Sequence, residues 1–226
     1  MKRCPGMIAA LPRELSLLVK GWRKRELDRN VWVWTNGQAV AACAGMGRAR
    51  GEKACRAALD TLPVTDMISV GLAGGCDPEF RVGEIVRAGV VVDAATEERF
   101  EVDRQGQVLV SSSVIASVSG KAALRAQYGA AAVDMEGATV ARFARQHGLN
   151  FSAIKAISDE AEFEIGDLSQ FATEDGQFKE AAFALHAALR PAMWCRVMAM
   201  GRNGTLARRA LTEALRVELD WYRTQG

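Results

Sequence analysis

Short apolar runs of strand length alternate along this chain with longer segments of helical spacing. The runs predicted to be strands are Gly6–Ala10, Val31–Trp34, Gln38–Ala44, Met67–Val70, Val82–Val92, Val108–Ser111 and Phe151–Ile157. Segments with apolar residues at helical spacing follow Pro12, Gly51, Gly120 and Glu136. Strands that alternate with helices predict an α/β fold, with helices on both faces of a mixed central sheet.

The length of the chain limits how this fold is organised. At 226 residues it can bury one large core, so we predict a single domain over residues 1–226. The carboxyl-terminal part is predicted to form two helical tracts, Leu168–Leu189 and Pro191–Arg223, with a break near Gly201 and Gly204. The acidic segment Glu160–Asp167 before them predicts a mobile loop or lid.

Charge and hydropathy exclude several classes of protein. The net charge of +2 gives no overall signature of nucleic-acid binding. Apolar stretches are too short for a membrane span or a signal peptide, which favours a cytoplasmic protein. Arginines in the last thirty or so residues make the tail basic, and we interpret them as a solvated helix face; contact with a membrane is not expected.

The few cysteines and histidines narrow the chemistry. The five cysteines contain no CxxC pair and are an odd number, which favours reduced thiols over a disulfide framework. The two histidines, His147 and His186, fall within helical patterns, which disfavours a histidine metal site or a histidine-based nucleophile. Carboxylates must therefore carry any acid–base chemistry.

Four polar or glycine-rich segments follow predicted strands. They are Glu14, Gly71–Gly75, Glu136 and Asp159. Ligands of α/β proteins bind at the carboxyl ends of strands, so these segments predict one shared pocket. In the glycine segment, the backbone of Gly71, Leu72, Ala73 and Gly74 is expected to approach the ligand. Asp134 alternates away from Glu136 and is expected to be structural.

Each of these residues also has a purely structural interpretation. Glu136 could be a carboxylate favoured by a helix dipole, Asp159 a turn or capping residue, and Glu14 a first-turn surface glutamate. A further glycine-rich turn, Gly45–Gly51, departs from the dinucleotide-binding pattern because Arg50 occupies the third glycine position. We interpret that turn as close backbone packing.

Taken together, the motifs resemble those of the nucleoside phosphorylase/nucleosidase superfamily. Val133–Ala138 (Val-Asp-Met-Glu-Gly-Ala) and Ala156–Asp159 (Ala-Ile-Ser-Asp) look like its paired signature. Gly71–Gly75, followed by Val82–Val86, looks like its glycine turn and next strand. Within the superfamily the sequence is most similar to the 5′-methylthioadenosine/S-adenosylhomocysteine nucleosidases and to the hopanoid-associated nucleosidase/phosphorylase group. The resemblance implies a three-layer α/β/α phosphorylase/hydrolase-like fold, a homodimer or higher homo-oligomer, and no cofactor.

The resemblance also implies roles for individual residues. Glu14 matches the carboxylate that activates water in the nucleosidases. Asp159 matches the acid that protonates the purine leaving group, with Ser158 beside it. Met135 and Glu136 match residues that hold the ribose, and Val133 falls where family members line the base pocket. An acid in the place of Asp159 must keep its proton near neutral pH, which calls for burial or nearby carboxylates.

Whether water or phosphate attacks the nucleoside stays open at the level of sequence. Where related phosphorylases have an arginine and a hydroxyl residue, this chain has Ser69 and Leu72, which favours hydrolysis. Arg13, Arg48 and Arg50 could instead build an anion site for inorganic phosphate. A non-catalytic nucleoside-binding protein is a further alternative.

The identity of the nucleoside is open as well. The connection Ala94–Gln107 is shorter than in methylthioadenosine nucleosidases, and aliphatic residues near Val114 and Ile115 stand where an aromatic residue stacks on the base. These departures favour a more open pocket that takes a bulky 5′-substituted adenosine, as in hopanoid synthesis.

Overall fold

The structure is a computed structural model that describes residues 3–102, 105–114, 116–163 and 194–224. The strands are β1 (Pro5–Ala9), β2 (Arg23–Asp28), β3 (Val31–Thr35), β4 (Val40–Cys43), β5 (Asp66–Gly75), β6 (Ile85–Asp93), β7 (Arg99–Glu101), β8 (Gln107–Ser111), β9 (Ala132–Asp134) and β10 (Asn150–Asp159). The helices are α1 (Pro12–Leu15), α2 (Arg48–Thr61), α3 (Val118–Tyr128), α4 (Gly137–Gln146) and α5 (Trp194–Thr224).

The sheet is mixed and is built around the long strand β5. One side of β5 pairs in parallel with β1, which continues to β4, β3 and β2. The other side pairs in parallel with β10 over nearly its whole length. Beyond β10 come β6, β8 and β9, and β9 returns to the end of β5 at Gly74 and Gly75. The carboxyl ends of β1, β5 and β10 therefore lie together.

Helices cover both faces of this sheet. Helices α1 and α5 pack on one face, where Leu15, Leu211 and Leu215 are fully buried against β1 and β5. Helices α2 and α4 pack on the other, around Ala58, Val140 and Met67. Their apolar residues recur at helical spacing, so one stripe of each helix is buried. The predicted three-layer α/β/α fold with a mixed sheet is thus confirmed.

Several element predictions are confirmed in detail. Asn36 and Gly37 connect the antiparallel strands β3 and β4, as the hairpin signal predicts. The bend predicted at Gly89 coincides with a register shift between Ala88 and Val90 in the pairing of β6 with β8. At the Gly45–Gly51 turn, a Cβ on Gly51 would lie 3.2 Å from Thr139 of α4, so this glycine allows close helix packing.

Two expectations about the elements are wrong, and one strand, β2, was not predicted. Strand β5 does not end at Val70 but continues through Gly75, since paired strands on both sides supply its hydrogen bonds. Strand β2 carries charged residues on an exposed edge and lacks the apolar alternation that marks a strand. Helix α5 runs unbroken through Gly201 and Gly204, because its second half packs on the sheet.

Parts of the carboxyl-terminal prediction lie outside the described residues. These are the helical tract Leu168–Leu189 and most of the predicted loop Glu160–Asp167, of which only residues 160–163 are described. Among the helices that are described, none is both long and apolar enough to cross a membrane.

The glycine at position 71 generates a first prediction. Its φ is +139°, a region that side chains rarely adopt, and a Cβ there would lie 2.9 Å from Glu14 Oε1. Gly71→Ala should therefore destabilise the protein by about 1–3 kcal/mol. As a control, Gly201→Ala in α5 meets open space and should stabilise by up to about 1 kcal/mol. Urea unfolding of both variants measures the difference, and equal effects would contradict the prediction.

Candidate active site

Glu14 is buried, at 7% exposure, in the single turn of α1 that follows β1. Pro12 starts this turn, and the backbone N–H of Leu11 donates to Glu14 Oε2 at 2.8 Å. The backbone N–H of Leu72 in β5 donates to Oε1 at 2.9 Å. Both oxygens therefore accept from fixed backbone groups, and the carboxylate lies against the glycine segment of β5.

Glu136 is also 7% exposed and stands at the amino terminus of α4. Its Oε1 accepts from the backbone N–H of Gly47 at 2.9 Å. Gly47 begins α2 with a φ of +87°, so the turn before α2 aims its N–H at the carboxylate. The glycine-rich turn that we predicted to serve backbone packing therefore also holds a candidate ribose-binding residue.

A buried ion pair lies beneath these two carboxylates. Lys155 of β10 is 1% exposed, and its Nζ contacts Asp134 Oδ2 at 2.7 Å. Asp134 also accepts from Ser111 Oγ at 2.6 Å and from the backbone N–H of Gly137 at 2.9 Å. Ser111 Oγ in turn accepts from the backbone N–H of Ala138. Asp134 and Ser111 thus cap helix α4, and the structural role predicted for Asp134 is confirmed.

The buried charges shift one another's protonation. Burial, followed by the nearby Asp134 carboxylate, raises the pKa of Glu136 to about 7, against a smaller lowering by Lys155 and the Gly47 amide. Burial on its own would lower the pKa of Lys155, but Asp134, Glu136 and Glu14 outweigh it and raise that pKa. Glu136 therefore exchanges its proton near neutral pH, while Lys155 stays an ammonium.

Asp159, the last residue of β10, has a cation beside it. Its Oδ2 accepts from Nζ of Lys121 in α3, and its Oδ1 accepts from Ser158 Oγ at 2.7 Å. The sequence led us to expect burial or neighbouring carboxylates at this acid. In the structure the charged partner of Asp159 is instead an ammonium, and the Asp159 side chain is 30% exposed.

The glycine segment of β5 connects the two ends of the candidate site. Gly71 lies against Glu14, because a Cβ at Gly71 would lie 2.9 Å from Glu14 Oε1. At Gly74 a Cβ would lie 3.1 Å from Asp159 Oδ2 and 3.5 Å from the side chain of Val133. The two carboxylates that were predicted to be catalytic therefore lie against glycines three positions apart in β5. The base-pocket candidate Val133 lies at the Asp159 end.

The remaining predicted residues lie along this segment. Leu72 contributes its backbone N–H to Glu14, and its side chain packs towards the core under α5. Ala73 accepts from Ser158 Oγ at 3.3 Å through its carbonyl oxygen. Met135 is partly exposed between Asp134 and Glu136. All the predicted site residues thus lie at, or next to, the carboxyl ends of β1, β5, β9 and β10.

Sequence reasoning missed three polar residues of this region. Lys121, Lys155 and Ser111 each contact a carboxylate there. Lys155 carried a signal, because a lysine inside the otherwise apolar strand Phe151–Ile157 has to find a buried anion. Lys121 has no such signal in the sequence, because a lysine in a short helix is normally exposed.

Two further observations concern the described structure as a whole. A depression of about 540 Å³ opens at the amino ends of β5 and β10, where Asp66, Asn150 and Trp221 line it. It lies at the opposite ends of these strands from Glu14 and Asp159. Within the described ranges, no group of three or more His, Cys, Asp or Glu side chains is arranged to hold a metal ion.

Comparisons with known proteins place this geometry in context. The family model of the phosphorylase superfamily matches residues 88–192. The fold is similar to that of futalosine hydrolase from Helicobacter pylori strain 26695, with a TM-score of 0.70 and 15% identity over 97% of this chain and 98% of that one. No curated protein matches the sequence.

Methylthioadenosine nucleosidases share the fold too. For 5′-methylthioadenosine nucleosidase of Arabidopsis thaliana the TM-score is 0.74 and the identity 14%, over 97% of this chain and 96% of that one. For 5′-methylthioadenosine/S-adenosylhomocysteine nucleosidase of S. pneumoniae they are 0.60 and 20%, over 91% and 99%. The predicted resemblance to the nucleoside phosphorylase/nucleosidase superfamily is thereby confirmed.

The raised pKa of Glu136 generates a prediction about stability. Its folded-state pKa of about 7 exceeds the usual 4.5, so the folded protein holds a proton that the unfolded chain has lost between these values. Stability present at low pH is therefore lost as pH rises through 7. Glu136→Gln should remove this loss, which amounts to a few kcal/mol at about 1.4 kcal/mol per pKa unit.

Urea unfolding at several pH values from 5 to 8 checks this prediction. The difference in unfolding free energy between Glu136→Gln and the wild type should grow with pH. The control is Glu98→Gln: the pKa of Glu98 is lowered by its bonds to Arg145 and Arg142, so its effect should be constant in this window. A flat difference for Glu136→Gln would refute the prediction.

Proposed function

We propose that this protein hydrolyses the N-glycosidic bond of a purine nucleoside and releases the free base, with 5′-substituted adenine nucleosides as its substrates. The observation that carries the proposal is the placement of Glu14 and Asp159 at the two ends of one glycine segment, with Glu136 close enough for the charge of Glu14 to raise its pKa. This arrangement offers a base for water, acceptors for ribose hydroxyls and an acid for the leaving group.

The proposed reaction assigns one proton movement to each end of the site. Glu14 takes a proton from water as the water oxygen bonds to C1′ of the ribose. The bond from C1′ to the base nitrogen breaks, and its electron pair goes to the purine, which takes a proton from Asp159. A ring nitrogen facing Asp159 accepts from a carboxylic acid and repels a carboxylate, so substrate binding favours the protonated acid. Exchange with solvent restores both groups.

The ribose binds through Glu136 in this proposal. An ionised Glu136 accepts from the sugar hydroxyls, which orients C1′ between Glu14 and Asp159. Since the pKa of Glu136 is about 7, the acceptor form is well populated at neutral pH.

Water is proposed as the nucleophile because the site has few side chains or free backbone N–H groups that could bind phosphate. Ser69, which stands where phosphorylases have an arginine, is 0% exposed inside β5. The one hydrogen-bond donor of Leu72 is its backbone N–H, and this already donates to Glu14. Arg48 is exposed and bonds Glu52. Phosphorolysis remains the second candidate because Arg13 lies in α1, which follows β1, and Arg50 lies in the first turn of α2, which follows β4.

The proposed preference for a 5′-substituted nucleoside rests on the segment after β8, which borders the candidate site. Val114, in the segment after β8, is 62% exposed, and Ser112 of that segment donates to the Asp134 carbonyl oxygen. This places an aliphatic, open segment next to the end of β9, two residues before Glu136. Ile115 lies outside the described residues. A homo-oligomer and a cytoplasmic location stay predictions.

The function is tested by following base release. Adenosine, inosine, methylthioadenosine and adenosylhomocysteine are each incubated with the protein, with and without inorganic phosphate. We expect release of the base in phosphate-free buffer at a rate that phosphate leaves unchanged. Release that depends on phosphate would identify a phosphorylase, and absence of release from all four nucleosides would favour a nucleoside-binding protein.

The role of Asp159 gives a separate prediction. Asp159→Asn keeps a hydrogen-bond acceptor for Lys121 but has no proton to give to the base. Turnover should fall by at least about 10²-fold, in the range of general-acid contributions. Circular dichroism and thermal melting verify that the assay temperature is below the transition of the variant. A folded Asp159→Asn protein with wild-type turnover would rule out the assignment.

A further inference from the structure

Lys121 is buried although the helix that carries it is not. It is 2% exposed and is the one buried residue of α3, whose other side chains are partly or fully exposed. Removing an ammonium from water costs several kcal/mol unless anions or hydrogen-bond acceptors replace the solvent. The position of Lys121 therefore has to be explained by its partners.

Within the described part of the chain, the hydrogen-bond partners of Lys121 all belong to the end of β10 and the turn after it. Nζ contacts Asp159 Oδ2, donates to the carbonyl oxygen of Glu160 at 2.9 Å and reaches that of Phe163 at 3.4 Å. The turn is closed by the backbone N–H of Phe163, which donates to the Glu160 carbonyl oxygen at 3.0 Å. One ammonium thus ties helix α3 to the side chain and backbone of the segment that presents Asp159.

These contacts fix the direction of the Asp159 carboxyl group. Ser158 Oγ holds Oδ1 and Lys121 holds Oδ2, so the carboxyl group cannot rotate without losing a charged contact. Gly74 makes room for the pair, since a Cβ there would lie 3.1 Å from both Asp159 Oδ2 and Lys121 Cε. The glycine of the neighbouring strand therefore suits both members of the pair.

We propose that Lys121 is a positioning residue for departure of the base: by fixing the Asp159 carboxyl group and the Glu160–Phe163 turn, it aims the acid at the purine. The inference rests on the proposed function. Displacement of a reacting group by about 1 Å can cost 10²-fold in rate, so loss of this support should lower the rate of base departure. Binding of the ribose, which Glu136 governs, should change little.

A merely structural ion pair makes a different prediction. If Lys121 only stabilised the fold, its loss would affect every substrate alike. If it positions the acid, the loss depends on the leaving group, because p-nitrophenolate departs without being protonated whereas a purine does not. Comparing a purine nucleoside with the corresponding p-nitrophenyl riboside separates the two roles.

The experiment compares Lys121→Met, Lys121→Arg and the control Arg125→Met. Arg125 lies one turn further along α3 and forms its ion pair with Asp77 and not with Asp159. For Lys121→Met we expect kcat for purine release to fall about 10²-fold with KM nearly unchanged, and kcat for the p-nitrophenyl riboside to stay within about 3-fold. Arginine keeps a charged donor, so Lys121→Arg should recover purine release to within about 10-fold of the wild type.

Specific outcomes would overturn the inference. Equal losses on both substrates, or purine release no slower than in Arg125→Met, would show that Lys121 does not act through Asp159. If Lys121→Met does not fold, Lys121→Arg decides: wild-type activity on the p-nitrophenyl riboside together with no recovered purine release would contradict positioning by the charge. A wild-type protein that cleaves neither substrate would instead refute the proposed function and, with it, this inference.

Discussion

The arrangement of the site depends on one buried ammonium, that of Lys155. Three carboxylates, those of Glu14, Asp134 and Glu136, raise its pKa despite its burial. Without this cation, three acids at the ends of β1 and β9 would repel one another in a poorly solvated space. The ion pair holds the Asp134 carboxylate, which caps α4 by accepting from the backbone N–H of Gly137. This places Glu136 at the start of that helix. The Lys155–Asp134 pair therefore supports the strand-to-helix turn, and its ammonium partly offsets the rise in the pKa of Glu136 that burial and Asp134 cause.

The second constraint is the missing side chains of the glycine segment in β5. The space that a Cβ would fill at Gly71 is taken by the Glu14 carboxylate, and that at Gly74 by Asp159 and Lys121. Side chains at these positions would separate the acids from the strand. The same glycines stay within β5 because β10 pairs with both of them, Lys155 opposite Gly71 and, after a register shift, Asp159 opposite Gly74. Sheet pairing thus supplies the rigidity that glycine itself lacks.

The sequence predicted what depends on local chemistry. Apolar runs located most of the strands, and the strand-end rule brought Glu14, Glu136 and Asp159 to one region. The prediction from sequence failed for features that depend on interaction partners distant in the chain. The charged strand β2 follows from pairing with β3, and the continuous helix α5 from packing on the sheet. The cation at Asp159 comes from a helix 38 positions away, so no local pattern could predict its charge environment.

The two ends of the site differ in charge, and this difference matches the proposed reaction. Breaking a ribose–purine bond leaves positive charge on the sugar and electron density on the base. Glu14 and Glu136 lie at the sugar end, where anions stabilise an oxocarbenium-like ribose, while Lys121 lies behind Asp159 at the base end. Fixed charges of this kind act without reorganisation during the reaction. The Lys121 ammonium, which contacts Asp159, would therefore also stabilise the electron density that the departing purine gains.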